Sequence, residues 1–420
     1  LNLPTKYNIK PHPAYFLYLL YIISYFLRLP ARIPILGAIR LDALLAASIF
    51  GLLFLKGWER ESTVSSDRIS RTLKILILYI ILSLPFVEWP GSVVKYNFLL
   101  FFKAVLFFYF TTFLIRTEKE LKNFLLVYIS CQSLRVIEPL WLHITTGYWG
   151  SATFIGTGFS DRLAGAPYDT VNPNGLAFII VITIPLLYFM TKDERSLIKS
   201  VFYILLPIFL YTMLLTQSRS GIICLGIIFA GIIINSGKKL VWIIGIVITL
   251  TLVAVNLDPV YLDRYASINI FDESTASHGT AQGRIEGWIS GLKVFIERPV
   301  FGHGLGTSSE AGWNVVRDDL VAHNMYIEIL QELGIIGLII FMVFLKNILF
   351  TLGQLKIAIK KQAKIGFLYN MTNAMQVIVI MLFVFSFASY GLSVPIWYFV
   401  GGISVVLLRL INDGPEINSL

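Results

Sequence analysis

Apolar residues run in long stretches along this chain, near positions 14–29, 35–55, 75–89, 96–115, 124–142, 174–191, 200–216, 220–236, 239–257, 324–345, 370–391 and 395–410. About 20 apolar residues in a helix cross roughly 30 Å of hydrocarbon. The pattern therefore predicts an all-α integral membrane protein with about twelve transmembrane helices. Several runs are short or hold a proline, which bundled helices tolerate when neighbours satisfy the freed backbone groups. The first run, Ala14 to Leu29, follows Lys6 and Lys10, lacks a small-x-small cleavage site and is followed at once by the second. It reads as a retained span rather than a cleaved leader.

The polar segments between the runs divide the chain into three parts. Residues 1–257 form a bundle of nine spans, residues 258–322 a long outer loop, and residues 323–420 a bundle of three spans. Lys and Arg concentrate in alternate segments, with clusters at Lys6–Lys10, Lys56–Lys74, Arg116–Lys122, Lys192–Lys199 and Lys346–Lys364. The positive-inside bias puts those segments, and both termini, in the cytoplasm. The segments on the other side then include 143–172, rich in Gly, Ser and Thr, and 258–322, with nine acids against five bases. From Arg284 to Arg298 apolar and charged residues alternate at helical spacing, so the second loop reads as a small helical cap on the membrane surface.

Composition agrees with the pattern. The 420 residues are 56% hydrophobic and only 14% charged, with a mean hydropathy of +0.75, which leaves no polar stretch long enough for a soluble domain. The net charge of +9 does not imply nucleic-acid binding, because the cations sit in short loops rather than on a basic stripe interleaved with exposed aromatics. Cys131 and Cys224 stand singly in apolar runs with no disulfide or zinc spacing. No His-Glu-x-x-His and no Asp-x-Asp pair is present, and Asp318-Asp319 is adjacent rather than alternate. No metal and no cofactor is expected.

Five polar features fall on the outer side. Thr216-Gln217-Ser218-Arg219-Ser220-Gly221 puts an Arg between two apolar runs, where a cation either faces an interior cavity or snorkels to the interface. Gly283-Arg284-Ile285-Glu286-Gly287-Trp288 sets Arg284 in a net acidic segment; its guanidinium matches phosphate oxygens, or pairs with a nearby acid. Pro299-Val300-Phe301-Gly302-His303-Gly304-Leu305-Gly306 is a tight Gly-rich turn without a Walker or Rossmann context, and His303 reads as structural. His323-Asn324 lies where the outer loop re-enters the membrane; an imidazole there suits proton transfer near neutrality, or caps the helix. Asn172-Pro173-Asn174-Gly175 opens the sixth run as a capped helix start, whose free N–H groups attract anions, although capping alone accounts for it. In the tenth run, Gly334 and Gly337 suit close helix packing.

Together these segments resemble a known family. His323-Asn324 followed by Glu332-Leu333-Gly334 and Gly337 is similar to the His-Asn…Glu-Leu-Gly-x-x-Gly signature of the O-antigen ligase and polymerase superfamily. Ser218-Arg219-Ser220-Gly221 resembles its Ser-Arg-Gly segment. Arg284 to Trp288, with Pro299, Gly302 and Gly304, resembles its Arg-x-x-x-Trp…Pro-x-x-Gly-x-Gly stretch, and Asn172-Pro173-Asn174 its Asn-Pro-Asn. The likeness spans Asn172 to Gly337 in the family's order; His303 departs from it, standing in a loop where small residues are expected. The resemblance implies a metal-independent, inverting glycosyltransferase of the bacterial inner membrane with its active site facing the periplasm. It would take glycan from undecaprenyl diphosphate and hand it to a lipid A–core sugar hydroxyl, as a ligase does. A polymerase would use the same donor with a glycan acceptor. Arg219 and Arg284 would hold the diphosphate and His323 would assist the acceptor hydroxyl or contact the phosphate, with Asn324, Asn174 and His303 as supporting residues. Of other classes, a polytopic transporter or lipid-carrier flippase would show paired broken helices in two halves, a pattern not found here.

Overall fold

The computed structural model describes residues 11–55, 67–154, 159–237, 239–240, 244, 278–317, 322–361, 366–389 and 391–412. The main helices among them are α1 (Pro13–Phe26), α2 (Leu41–Leu55), α3 (Arg68–Ser83), α4 (Phe98–Leu114), α5 (Glu118–Thr146), α6 (Pro173–Thr191), α7 (Ser196–Thr216), α8 (Arg219–Ile234), α9 (His278–Glu297), α10 (Met325–Lys361), α11 (Phe367–Phe385) and α12 (Ile396–Asn412). A short antiparallel hairpin, β1 (Gly150–Phe154) with β2 (Phe159–Leu163), follows α5.

The expected all-α membrane architecture holds, and of the twelve expected spans half are matched by full-length apolar helices. Among the described residues six helices are long and apolar enough to cross a membrane: α4 with its preceding turn, α5, α6, α7, α10 and α11. Helices α1, α2, α8 and α12 are apolar but shorter. Where the third run was read at 75–89, the helix is α3, which begins at Arg68 because Asp67 caps it, accepting from the Ser70 N–H at 2.8 Å. Almost all of the ninth run, 239–257, lies outside the described residues, as does the first part of the outer loop.

Helix α6 is the hub. Its most apolar window is 78% buried in protein, against 22% for its neighbour α7, so α6 has protein on all sides while α7 turns most of its surface outward. It packs against α5, α7, α8 and α11. An aromatic cluster fills the adjoining space: Tyr18 stacks on Phe124 with ring centroids 5.2 Å apart, and Tyr128 on Phe399 at 4.5 Å.

Contacts between loops fall into two sets, one at each end of the bundle. At one end Arg28 meets Thr170, Glu88 meets His303, Gln217 meets the backbone of Asp161, and the Gly391 N–H donates to Glu328. At the other, Tyr15 meets the Glu120 carbonyl, Lys122 pairs with Glu194, Asn370 donates to Asp193, and Lys356 donates to Asn235. The two sets are the alternate segments that charge bias separates in sequence, so helix connectivity agrees with that alternation.

Helix α10 breaks one-quarter of the way along, at Gly334, whose φ of +66° and ψ of −169° are non-helical. A Cβ there would lie 2.2 Å from the Val300 carbonyl oxygen. The break lets the Pro299–Gly306 turn seat against it: Ile335 N–H donates to Pro299 O at 2.9 Å, His303 N–H to Gln331 O at 2.8 Å and Gly304 N–H to Glu332 O at 2.9 Å. Close packing was expected of Gly334; the structure adds that the backbone conformation itself requires glycine.

Candidate active site

Three helix starts meet the outer loops at one end of the bundle. Asn172 caps α6, its Oδ1 accepting from the Gly175 N–H at 2.8 Å. Ser218 caps α8, its Oγ accepting from the Gly221 N–H at 3.3 Å. Asn324 caps α10, its Oδ1 accepting from the N–H groups of Tyr326 and Ile327 at 3.0 and 3.3 Å. Each helix start carries partial positive charge, and such ends favour anions. Gln217 and His323, which immediately precede two of the caps, have φ of +50° and +46°. Side chains rarely hold that conformation, and such strained residues cluster at functional sites.

The hairpin after α5 locks two of these starts together. Arg162 is 7% exposed; its Nε donates to the Thr216 carbonyl at 2.9 Å and its Nη2 to Asn174 Oδ1 at 3.0 Å. Gln217 donates from Nε2 to the Asp161 carbonyl at 2.8 Å and accepts from Ser160 Oγ at 3.2 Å. Thr216, Gln217 and Ser218 are consequently buried, and Arg219 leaves this fixed turn as the first residue of α8. Packing is tight there, for a Cβ on Gly221 would approach Ala177 of α6 to 2.8 Å.

Arg284 on α9 and His323 face each other electrostatically. Burial lowers the pKa of Arg284 from its usual value, leaving a guanidinium that is still charged but poorly solvated. Burial of part of the His323 ring, and then the charge of Arg284, push the imidazole below the ordinary histidine value of 6.5. His323 is thus neutral at pH 7, with a lone pair available for a proton.

His323 also lines a cavity of about 290 Å³ together with Asn172, Asn174, Gly175, Phe178 and residues 382–397 of the α11–α12 region. A second cavity of about 300 Å³ adjoins it, sharing Thr170, Val171, Gly175, Phe178, Val394 and Ile396. Among the residues expected to act, His323 and Asn174 line this cavity, while Arg284 is linked to it through its charge on His323. Arg219 opens α8 just after Thr216, which Arg162 bridges to Asn174 of α6, and, like Arg284, it is not among the residues lining the cavity. His303 lies apart from the cavity: Nδ1 is 2.6 Å from Glu88 Oε2, Nε2 is 3.0 Å from the Val294 carbonyl, and the ring stacks on Trp89. It is 1% exposed and joins three segments. Asn324 spends its side chain on the α10 cap.

Sequence reasoning missed Arg162, Arg135 and Asp169. Arg135 on α5 makes a two-pronged pair with Asp169, Nε to Oδ2 at 2.9 Å and Nη2 to Oδ1 at 2.8 Å. An Arg and a Gln inside the fifth apolar run, Arg135 and Gln132, were the available signal.

Comparison with known proteins adds to this geometry. Residues 202–342 match the model of a family described as O-antigen ligase. An O-antigen polymerase of Salmonella muenchen is 27% identical over 209 residues, 45% of this chain and 51% of that protein. A protein of Rickettsia prowazekii (strain Madrid E), provisionally named a polysaccharide ligase, is 24% identical over 227 residues, 51% of this chain and 53% of its own. These likenesses make the chain similar to the O-antigen ligase and polymerase superfamily. It spans about half the length of these curated relatives. The segment that matches the O-antigen ligase family carries Arg219, Arg284, His303, His323 and Asn324, while α6 and the α11–α12 region, which complete the cavity, lie outside it.

Proposed function

We propose that this protein is an O-antigen ligase of the bacterial inner membrane, transferring a glycan from undecaprenyl diphosphate to a sugar hydroxyl of lipid A–core at the periplasmic face, with both termini cytoplasmic. The observation that carries the reading is His323 at the wall of a cavity floored by the start of α6, its imidazole held neutral by burial and by the charge of Arg284. A diphosphate leaving group needs positive charge aimed at the oxygen where negative charge develops, and a low-dielectric site makes that charge count for more. Arg284 and Arg219 supply it, with the helix starts behind them. The acceptor hydroxyl attacks the anomeric carbon from the face opposite the diphosphate. Its oxygen forms the new glycosidic bond as the old carbon–oxygen bond breaks, and the electron pair leaves on the diphosphate. The hydroxyl proton passes to His323. Inversion follows from the single displacement, and the chemistry runs on the protein's own side chains.

A polymerase would use the same donor, and the Salmonella relative bears that name. Both readings are tested by supplying purified protein in lipid nanodiscs with a polyprenyl diphosphate glycan and, separately, lipid A–core or a second lipid-linked glycan. A ligase releases undecaprenyl diphosphate only with lipid A–core. Release only with the second glycan makes it a polymerase, and no release with either acceptor overturns the transferase reading. In cells, loss of the ligase strands long polymer on the carrier, whereas loss of a polymerase leaves core capped by one repeat unit.

A further inference from the structure

The second cavity has a feature that the transfer chemistry leaves unused. On α5, Tyr128, Gln132 and Arg135 recur at helical spacing on one face, and all three line this cavity with Asp169. Arg135 links the other two polar groups, Nη1 donating to Gln132 Oε1 at 2.9 Å and the guanidinium holding Asp169 through the two-pronged pair, with the Tyr128 side chain on the same face. The side chains of Arg135 and Asp169 are only 11% and 2% exposed. Aromatic rings complete the wall, Phe26 and Phe399 both packing on Tyr128, with centroids 5.1 and 4.5 Å away.

Ionised and amide groups inside an apolar bundle are costly to bury and mark ligand pathways. A hydrocarbon chain would gain nothing from this network and would strip it of water. A sugar ring fits it: hydroxyls both donate and accept, so they bridge carboxylate, amide and phenol, and the C–H face of the ring packs on an aromatic wall. We propose that the second cavity is a sugar subsite, holding one ring of a glycan substrate beside the transfer site. It rests on the transferase reading for its biological meaning. The ring belongs either to the donor glycan or to the acceptor.

The test uses two probes freed of lipid, the donor repeat-unit glycan and the core oligosaccharide, in equilibrium dialysis against full-length protein in nanodiscs. Gln132→Ala and Tyr128→Phe should weaken one of the two by about tenfold, the loss of one or two hydrogen bonds from a buried site, and should raise KM for the same substrate with kcat kept. Which glycan is affected identifies the source. Val394→Trp, which fills the passage between the cavities without touching the network, should weaken the same glycan. Wild-type affinity for both glycans in all three variants overturns the subsite, as does absence of glycan binding to the wild type at millimolar concentration. In a parallel titration with polyprenyl phosphate, a loss that falls on that lipid and spares both glycans assigns the cavity to the lipid and also overturns it. Glycan binding that depends on Gln132, in a protein that transfers nothing, overturns the transferase reading and leaves the subsite standing.

Discussion

Burial, and then the guanidinium of Arg284 on α9, lower the pKa of His323, which stands 39 positions after that arginine at the mouth of another helix. The two residues meet because the Pro299–Gly306 turn docks on the break in α10 and so carries α9 alongside that helix. A cation beside an imidazole disfavours the imidazolium, so the interaction keeps His323 neutral where an ordinary histidine begins to protonate.

That sign fixes a pH prediction. Transfer that needs neutral His323 should hold as pH falls through 6.5 and be lost only below it, because the folded-state pKa is depressed. In Arg284→Gln the titration midpoint of the His323 ring should rise, as seen by carbon-13 NMR of histidine-labelled protein. The NMR reading does not depend on turnover. A midpoint that stays in place would show that the two residues are not coupled.

Planar forks predict a graded loss at the two arginines. Arg284→Lys and Arg219→Lys keep the charge but lose two-pronged contact with phosphate, and each should reduce kcat/KM by about a hundredfold, the usual scale for one misplaced transition-state donor. His323→Ala should do at least as much. His143→Ala should be nearly silent, since that ring only meets the Tyr148 carbonyl and Trp149. Wild-type turnover by Arg284→Lys would remove the two-pronged role.

Gly334 predicts a purely structural effect. Gly334→Ala adds a Cβ 2.2 Å from a backbone carbonyl at a φ of +66°, and should lower stability by about 2 kcal/mol or more. Gly353→Ala, in the same helix with open space at its Cβ, should be neutral or slightly stabilising. Thermal unfolding of the two proteins in detergent makes the comparison; equal midpoints would contradict the docking of the Pro299 turn.

Sidedness can be read chemically. Cys131 and Cys224 are buried, so background labelling is low. Ser309→Cys, at the end that holds His323, should react with a membrane-impermeant maleimide in cells whose outer membrane is opened. Ser196→Cys, at the opposite end, should react only after the inner membrane is breached. The reverse pattern would invert the proposed orientation.

By itself, the sequence determined the class, most of the helices and the candidates for the site. Bilayer thickness imposes run length, so 174–191 became α6 at Pro173–Thr191 and 200–216 lies within α7 at Ser196–Thr216. Caps are local, so Asn172, Ser218 and Asn324 mark helix starts from their own neighbours. Arg219 stands out because charge among apolar residues is costly, Arg284 because it is a cation in a net acidic segment, and His323 because it sits where the loop meets an apolar run. Only the tertiary structure decided which of these meet. Hydrophobic runs say nothing about neighbours, so the central place of α6 and the outward place of α7 come from packing alone. In sequence Arg162 is one cation in a polar loop; the hairpin sets it against Thr216 and Asn174. His303, in a turn suited to a ligand, proved to be tied to Glu88 from a segment 215 residues earlier. Arg135, Gln132 and Asp169 became one polar wall because α5 and the segment before α6 close on the same cavity. Contacts between residues far apart in the chain depend on how all the helices pack at once, and no local pattern carries that information.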